Sequence, residues 1–211
     1  MKKISIMKLS GVILLTCAGL TQANLLYNPG FEIEGPGGVK DADGWFQTAG
    51  WVERLPDTVA PSGDYVLQVG DSDDGWHWAS QNIAVTPGVE YTFSTLIKAY
   101  MPAGPNGDDD AAFILYDWLD AGGASLGNGS SAYDNSSPDY ADFVWVSRSV
   151  IGTAPAGAVQ AMVRALAYMP NDNGTSGIWF DNVEAIPEPA TMGLFGLMGG
   201  GLLWVRKRFK I

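Results

Sequence analysis

Between residues 24 and 186 no apolar pattern of helical period runs long enough to build a helix. Apolar and aromatic runs are short, and clusters of Gly, Pro, Asn, Asp and Ser separate them. That punctuation restricts the chain to an all-β architecture, a sandwich or a barrel, because each run can cross a sheet once before a turn is forced. Strands are expected near 25–33, 45–52, 65–69, 76–85, 90–100, 112–118, 143–150, 158–168 and 177–185. Thr86-Pro87-Gly88 reads as a tight connection, with Pro87 presetting φ and Gly88 free to take a positive φ. Along 91–98 the residues Tyr91, Phe93, Thr95 and Ile97 alternate with Thr92, Ser94, Leu96 and Lys98, which makes one face more apolar. Two Gly-, Asn- and Asp-rich stretches, 101–110 and 121–142, read as long loops.

The two ends follow a different plan. Lys2, Lys3 and Lys8 precede an uncharged, mostly apolar run over 9–20, and Thr21-Gln22-Ala23 places small residues where a signal peptidase reads them. The apolar run is too short to span a bilayer comfortably, so residues 1–23 are expected to be a signal peptide cut after Ala23. A retained N-terminal anchor is the alternative. Cys17 sits in this leader behind Thr16, a poor fit to a lipoprotein site. Removal of the leader takes the chain's single Cys with it, so the mature protein has neither disulfides nor cysteine chemistry.

At the other end, Pro187-Glu188-Pro189 is followed by an apolar, Gly-rich run from 190 to 205 and then by Arg206, Lys207, Arg208 and Lys210. The run is at the short limit for a spanning helix, and the basic cluster belongs on the cytoplasmic side. Motif, short helix and terminal cations come in order within the last 25 residues, and together they resemble the PEP-CTERM sorting signal. The resemblance implies recognition of Pro187, Glu188 and Pro189 by an exosortase, a membrane transpeptidase-like enzyme. The chain would be anchored transiently in the inner membrane and then released to the cell surface or an extracellular polysaccharide matrix. An ordinary C-terminal anchor is the alternative.

What remains, 24–186, is one domain by length. The whole chain carries a formal charge of −11, but seven of its 12 basic residues lie in the end segments. The central part keeps five basic residues (Lys40, Arg54, Lys98, Arg148 and Arg164) against 22 acidic ones, a net of −17. A field of that sign disfavours nucleic acid and anionic lipid, and favours cations.

Three segments of this domain resemble galactose-binding-like jelly rolls, a group that includes carbohydrate-binding modules. Asn24-Leu25-Leu26-Tyr27-Asn28-Pro29-Gly30-Phe31-Glu32 is similar to their opening strand. Ser80-Gln81-Asn82-Ile83 with Val85-Thr86-Pro87-Gly88 and Tyr91-Thr92-Phe93-Ser94 is similar to their central hairpin, and Gly177-Ile178-Trp179-Phe180-Asp181-Asn182-Val183 to their closing strand. The resemblance implies a jelly-roll β-sandwich, and it implies that Glu32 and Asp181 help hold a structural calcium ion. Calcium takes six to eight oxygens, so backbone carbonyls must complete such a site. Two independent surface carboxylates are the alternative. Asp71-Ser72-Asp73-Asp74-Gly75 is no EF-hand, because Gly comes one position early and the twelfth position is Asn82.

Candidate ligand contacts come from the aromatics, since flat rings stack on sugar C–H faces. Of eight Trp, seven lie in the central domain. Trp76 and Trp78 share one face of an extended strand, opposite in parity to Ile83, which is expected to point inward. A place in the core is the competing reading for both, and Trp145 and Trp179 are expected to be core. Tyr100, Arg164 and Tyr168 are further candidates by parity. Catalysis has little support: His77 is the only His, and no Gly-x-Ser-x-Gly elbow or zinc-helix motif is apparent. A non-catalytic polysaccharide binder is therefore expected, with a structural matrix protein as the alternative and a glycan-degrading enzyme last.

Overall fold

The computed structural model describes residues 23–48, 52–69, 75–101, 110–170 and 177–188. The expected signal peptide and tail helix lie outside the described residues, and among those described there is no helix long and apolar enough to cross a membrane. Among the described residues twelve strands run in order: β1 (Glu34–Gly35), β2 (Gly38–Ala42), β3 (Phe46–Gln47), β4 (Val52–Pro56), β5 (Tyr65–Val69), β6 (Gly75–Ala84), β7 (Glu90–Tyr100), β8 (Ala111–Leu119), β9 (Ser125–Asp134), β10 (Val146–Thr153), β11 (Gln160–Met169) and β12 (Gly177–Pro187). Two five-stranded sheets face each other, in the orders β10-β7-β12-β5-β4 and β3-β6-β11-β8-β9, while β1 and β2 form a separate hairpin. The chain is thus an all-β jelly-roll sandwich.

The core is made by alternation. On β7 the inward set is Tyr91, Phe93, Thr95, Ile97 and Ala99, all buried. Facing them, β8 supplies Ala112, Ile114, Tyr116 and Trp118, and β11 supplies Ala161, Val163, Ala165 and Ala167. The small residues on β11 leave room for a large aromatic cluster. Phe93 stacks on Tyr116 with centroids 4.6 Å apart, and Trp118 lies 4.7 Å from Tyr116 and 5.6 Å from Phe93. Rings of this size dominate the apolar area a domain buries.

Several expectations are corrected by the ladders. Residues 25–33 do not form a strand. Asn28 and Phe31 take φ of 49° and 60°, which extended backbone excludes, and a turn closes from Phe31 N–H to the Asn28 carbonyl at 3.1 Å. The Asn28 side chain holds this turn, donating to the Ile33 and Asp43 carbonyls and accepting from Ile33 N–H. Residues 121–142 are not a loop throughout, because β9 pairs with β8 along its whole length. Its Gly- and Ser-rich sequence hides the strand, since an exposed edge strand needs little apolar surface. The Thr86 turn forms as expected, with Val89 N–H donating to the Thr86 carbonyl and Gly88 at φ 80°. It joins the two sheets rather than closing a hairpin. Trp145 and Trp179 are half-buried and outside the core. Trp179 has the parity opposite to Ile178 and Phe180, which take the interior.

Arg54 fixes the turn that carries Glu32. It is 3% exposed, and its guanidinium donates to the carbonyls of Phe31 (2.6 Å), Glu32 (2.7 Å) and Val39 (3.1 Å) while lying over the Tyr65 ring. Arg54→Met strands three partly buried carbonyls. It is expected to lower stability by about 2 kcal/mol, read as a reduced urea midpoint at unchanged slope. An unchanged midpoint would show that water satisfies those carbonyls.

Candidate functional site

The outward face of the β3-β6-β11-β8-β9 sheet is set by β6, where Trp76, Trp78, Ser80 and Asn82 share one parity and His77, Ala79, Gln81 and Ile83 the other; Ser80 is buried at the floor of its row, as are His77, Ala79 and Ile83. Register then places partners beside them. Trp76 is opposite Tyr168, Trp78 opposite Leu166, Ser80 opposite Arg164, and Asn82 opposite Met162. On the far side of β11, Phe113 pairs with Leu166, Leu115 with Arg164, and Asp117 with Met162. Phe46 of β3 pairs with Ser80 from the other edge.

These rows make an aromatic stripe beside an open cleft. Trp76 is 51% exposed and stacks on Tyr168 with centroids 4.3 Å apart at 29°, and Phe113 lies 5.8 Å away. The cleft has a volume of about 520 Å³ and is lined by Phe46, Trp78, Ser80, Asn82, Met162 and Arg164, with Gly44 and Gln81 at its margin. Phe46 is 66% exposed, a large ring with no apolar cover. Trp78 is half-buried and its backbone is clamped by Thr48, whose hydroxyl both donates to the Trp78 carbonyl and accepts from its N–H. Gln81 is spent structurally on Tyr27 and Gly44. Such a surface, with rings exposed next to hydroxyl and amide groups, suits a ligand that offers both apolar faces and hydrogen-bonding edges.

Of the five residues singled out as ligand candidates, Trp76, Trp78, Arg164 and Tyr168 share this face. Tyr100 does not. It lies on β7 in the other sheet, stacked on Phe143 with centroids 4.9 Å apart and planes at 7°. There the Lys98 ammonium, paired with Asp57, sits 4.9 Å from the Trp145 ring and 5.2 Å from Trp179. Sequence reasoning missed Phe46, Asn82 and Asp117. The parity of Phe46 against the buried Trp45 is the signal that could have found the first of them.

Glu32 and Asp181 are brought to one turn. Glu32 accepts from the N–H groups of Asp64 (3.1 Å) and Tyr65 (3.0 Å). Asp181 is fully buried beside a bulge in β12 and accepts from Ser62 N–H (2.8 Å) and Asn182 N–H (2.6 Å). Burial pushes its carboxyl up to about 6. The Ser62 and Asn182 N–H groups oppose that rise, and the negative charges of Glu32 and Asp57 reinforce it. A Cβ added at Gly63 would overlap the Glu32 carboxyl, and one at Gly30 would meet Asp181 Oδ1 at 3.4 Å. A buried carboxyl that feels a second carboxylate and has, among the described residues, no cationic side chain bonded to it fits a hard cation in charge. It does not fit one in side-chain number: among the described residues no group of three or more His, Cys, Asp or Glu could hold a metal. Backbone carbonyls would have to supply the remaining oxygens.

Comparison with known proteins bears on the two parts separately. The enzymatically active domain of bacteriophage CBA120 tailspike protein 4 aligns with a TM-score of 0.54 at 14% identity over 78% of this chain, which spans 21% of that one. TmCBM61, solved in complex with beta-1,4-galactotriose, aligns with a TM-score of 0.55 at 14% identity over 79% of this chain and 99% of that one. The CBM22-1 xylan-binding domain of Xyn10C from Paenibacillus barcinonensis gives 0.52 at 17% identity over 79% and 95%. The sandwich therefore has the fold of carbohydrate-binding modules. Residues 185–208 match the family model for the PEP-CTERM protein-sorting motif. The chain carries that motif, which implies an exported protein with a membrane-anchored stage at its C-terminus. No curated protein matches the chain.

Proposed function

We propose that this is a non-catalytic surface protein whose sandwich binds a polysaccharide across the Phe46–Trp78–Arg164 cleft, with Trp76 and Tyr168 extending the aromatic platform. The observation that carries this is the run of exposed and half-buried rings along one sheet face beside a cleft of mixed polar and apolar lining. Exposed aromatic patches of this kind on an otherwise acidic protein are costly unless something covers them. In this reading Trp78 and Phe46 stack on sugar rings, and Ser80, Asn82 and Arg164 bond hydroxyls. The fold shared with two carbohydrate-binding modules supports the same reading. The sorting motif is read by an exosortase, and processing delivers the domain to the cell surface or the extracellular matrix.

Glu32 and Asp181 hold a calcium ion in this proposal. The ion would tie the N-terminal turn to β12 and to the 57–64 segment. It would supply positive charge to a carboxyl pair that otherwise repels, and it takes no part in ligand chemistry.

The test is a panel of microbial and plant polysaccharides presented to the full chain in detergent. Retention on at least one member, weakened by Trp78→Ala, is the expected result. A folded protein that binds none of a broad panel would leave the structural matrix role in its place. Release of reducing ends would overturn the non-catalytic assignment.

A further inference from the structure

We infer that the cleft selects an acidic glycan, with the Arg164 guanidinium as the reader of a uronic-acid carboxylate. The inference rests on the polysaccharide reading above and adds the ligand's chemical class.

The argument starts from how the described cations are used. The Lys40 ammonium donates to Glu53 at 2.7 Å. Arg54 donates to three carbonyls. Lys98 is paired with Asp57. Arg148 grips Asp139 with two N–H groups, at 2.6 and 2.9 Å, and donates to the Ala132 and Ser147 carbonyls as well. Arg164 differs from all four. Among the described residues its Nε and Nη2 donate to the Met162 thioether alone, at 3.2 and 3.0 Å, and sulfur of that kind is a weak acceptor. The nearest carboxylate oxygen is Asp117 Oδ2 at 3.9 Å, beyond hydrogen-bond reach, while Asp117 Oδ1 is engaged by the Ser125 hydroxyl at 2.6 Å. The side chain is 24% exposed on the cleft wall. No oxygen acceptor of the described residues meets it.

A guanidinium mostly withdrawn from water, with no oxygen within hydrogen-bond reach among the described residues, is an incomplete arrangement, and a planar carboxylate completes it with two parallel hydrogen bonds. A neutral sugar hydroxyl offers one acceptor and no charge. The acidic balance of the domain repels a polyanion at long range. Selection therefore comes from this short-range fork and not from the overall field. Asp117 sets the strength, because its charge 3.9 Å away competes with the ligand's.

The experiment titrates the full chain in detergent with oligogalacturonate, with the uncharged galacto-oligosaccharide of equal length, and with a sulfated galactan. Oligogalacturonate is expected to bind about tenfold tighter than its neutral counterpart, near the contribution of one charge-assisted pair. Arg164→Gln should bring the acidic-to-neutral ratio close to one, and Arg164→Lys, which keeps the charge but loses the fork, should leave it intermediate. Asp117→Asn should raise the ratio severalfold. Equal binding of acidic and neutral sugars, or a preference that survives Arg164→Gln, would overturn the inference and leave the polysaccharide reading standing. Tightest binding to the sulfated galactan would overturn the carboxylate assignment. Binding to none of the three, with the wider panel also negative, would remove both readings together.

Discussion

If calcium occupies the proposed Glu32–Asp181 site, chelating it is expected to lower the unfolding temperature of the folded domain by about 10 °C, and Asp181→Asn to make the protein indifferent to chelator. The size follows from linkage. A ligand that binds only the native state at about a thousand times its dissociation constant adds about 4 kcal/mol, and in a domain of this length each kcal/mol moves the midpoint by about 2–4 °C. The same pair predicts a pH dependence. With no cation bound, the Asp181 carboxyl is pushed up to about 6 from 3.8. The native state then holds more protons than the unfolded chain between those values. Stability of the chelated protein must therefore fall as pH rises from about 4 to about 6, by about 2 kcal/mol, and level off above. Calcium at the proposed site would reverse the sign, because the ion would bind the carboxylate and be lost on acidification. Thermal melts at several pH values, with calcium and with EDTA, read both effects. Identical melts in the two media would sink the calcium site, and a flat chelated profile would show that the Ser62 and Asn182 N–H groups hold the charge unaided.

On the proposed function, Trp78→Ala is expected to lower polysaccharide affinity by about thirtyfold while the protein keeps its fold. Removing a ring that covers one sugar face costs about 2 kcal/mol, which is that factor in a dissociation constant. Trp78 sits centrally between Phe46 and the Trp76–Tyr168 stack, so its loss divides the platform. Trp76→Ala should cost less, because Tyr168 and Phe113 remain beside the gap. Affinity electrophoresis on the retained polysaccharide measures both, with the unfolding midpoint as control. Collapse of the fold on Trp78→Ala would place that ring in the core and deny it a ligand role. Unchanged retention in both variants would move the binding surface elsewhere.

The sandwich was legible because turn residues divide the chain at strand-length intervals, and because Tyr91, Phe93 and Ile97 alternate cleanly against polar neighbours. The outward placement of Trp76 and Trp78 was legible for the same reason, once Ile83 fixed the inward parity. Parity failed where strand ends and sheets could not be known in advance. Tyr100 has suitable parity on β7, but its sheet is the other one. Trp179 was expected in the core, yet Ile178 and Phe180 leave it the outer side. The β9 strand was hidden because an edge needs backbone pairing more than apolar side chains. The opening motif was mistaken for a strand because nothing local shows that Asn28 and Phe31 adopt positive φ; that depends on Asn28 bonding to residues as distant as Asp43. The weak bonding of Arg164 is a contrast among five cations, and it emerges only when their partners among the described residues are compared.

The strand that closes the sandwich does not stop before the sorting motif begins. Pro187 pairs with Tyr91, Glu188 N–H donates to the Glu90 carbonyl at 2.7 Å, and the Glu188 carboxylate accepts from the Thr92 hydroxyl at 2.6 Å. Domain and signal therefore share residues, with no spacer between them. While the tail is anchored, any drag on the sandwich passes straight into β12, an interior strand of its sheet with β7 and β5 on either side. A pull along that strand is opposed by the β7 ladder, which runs from Gly177 to Pro187, and by the β5 pairs at Ile178, Trp179 and Phe180. An enzyme that engaged the strand at Glu188 would instead have to break only the bonds of that residue to Thr92 and Glu90 first, one at a time.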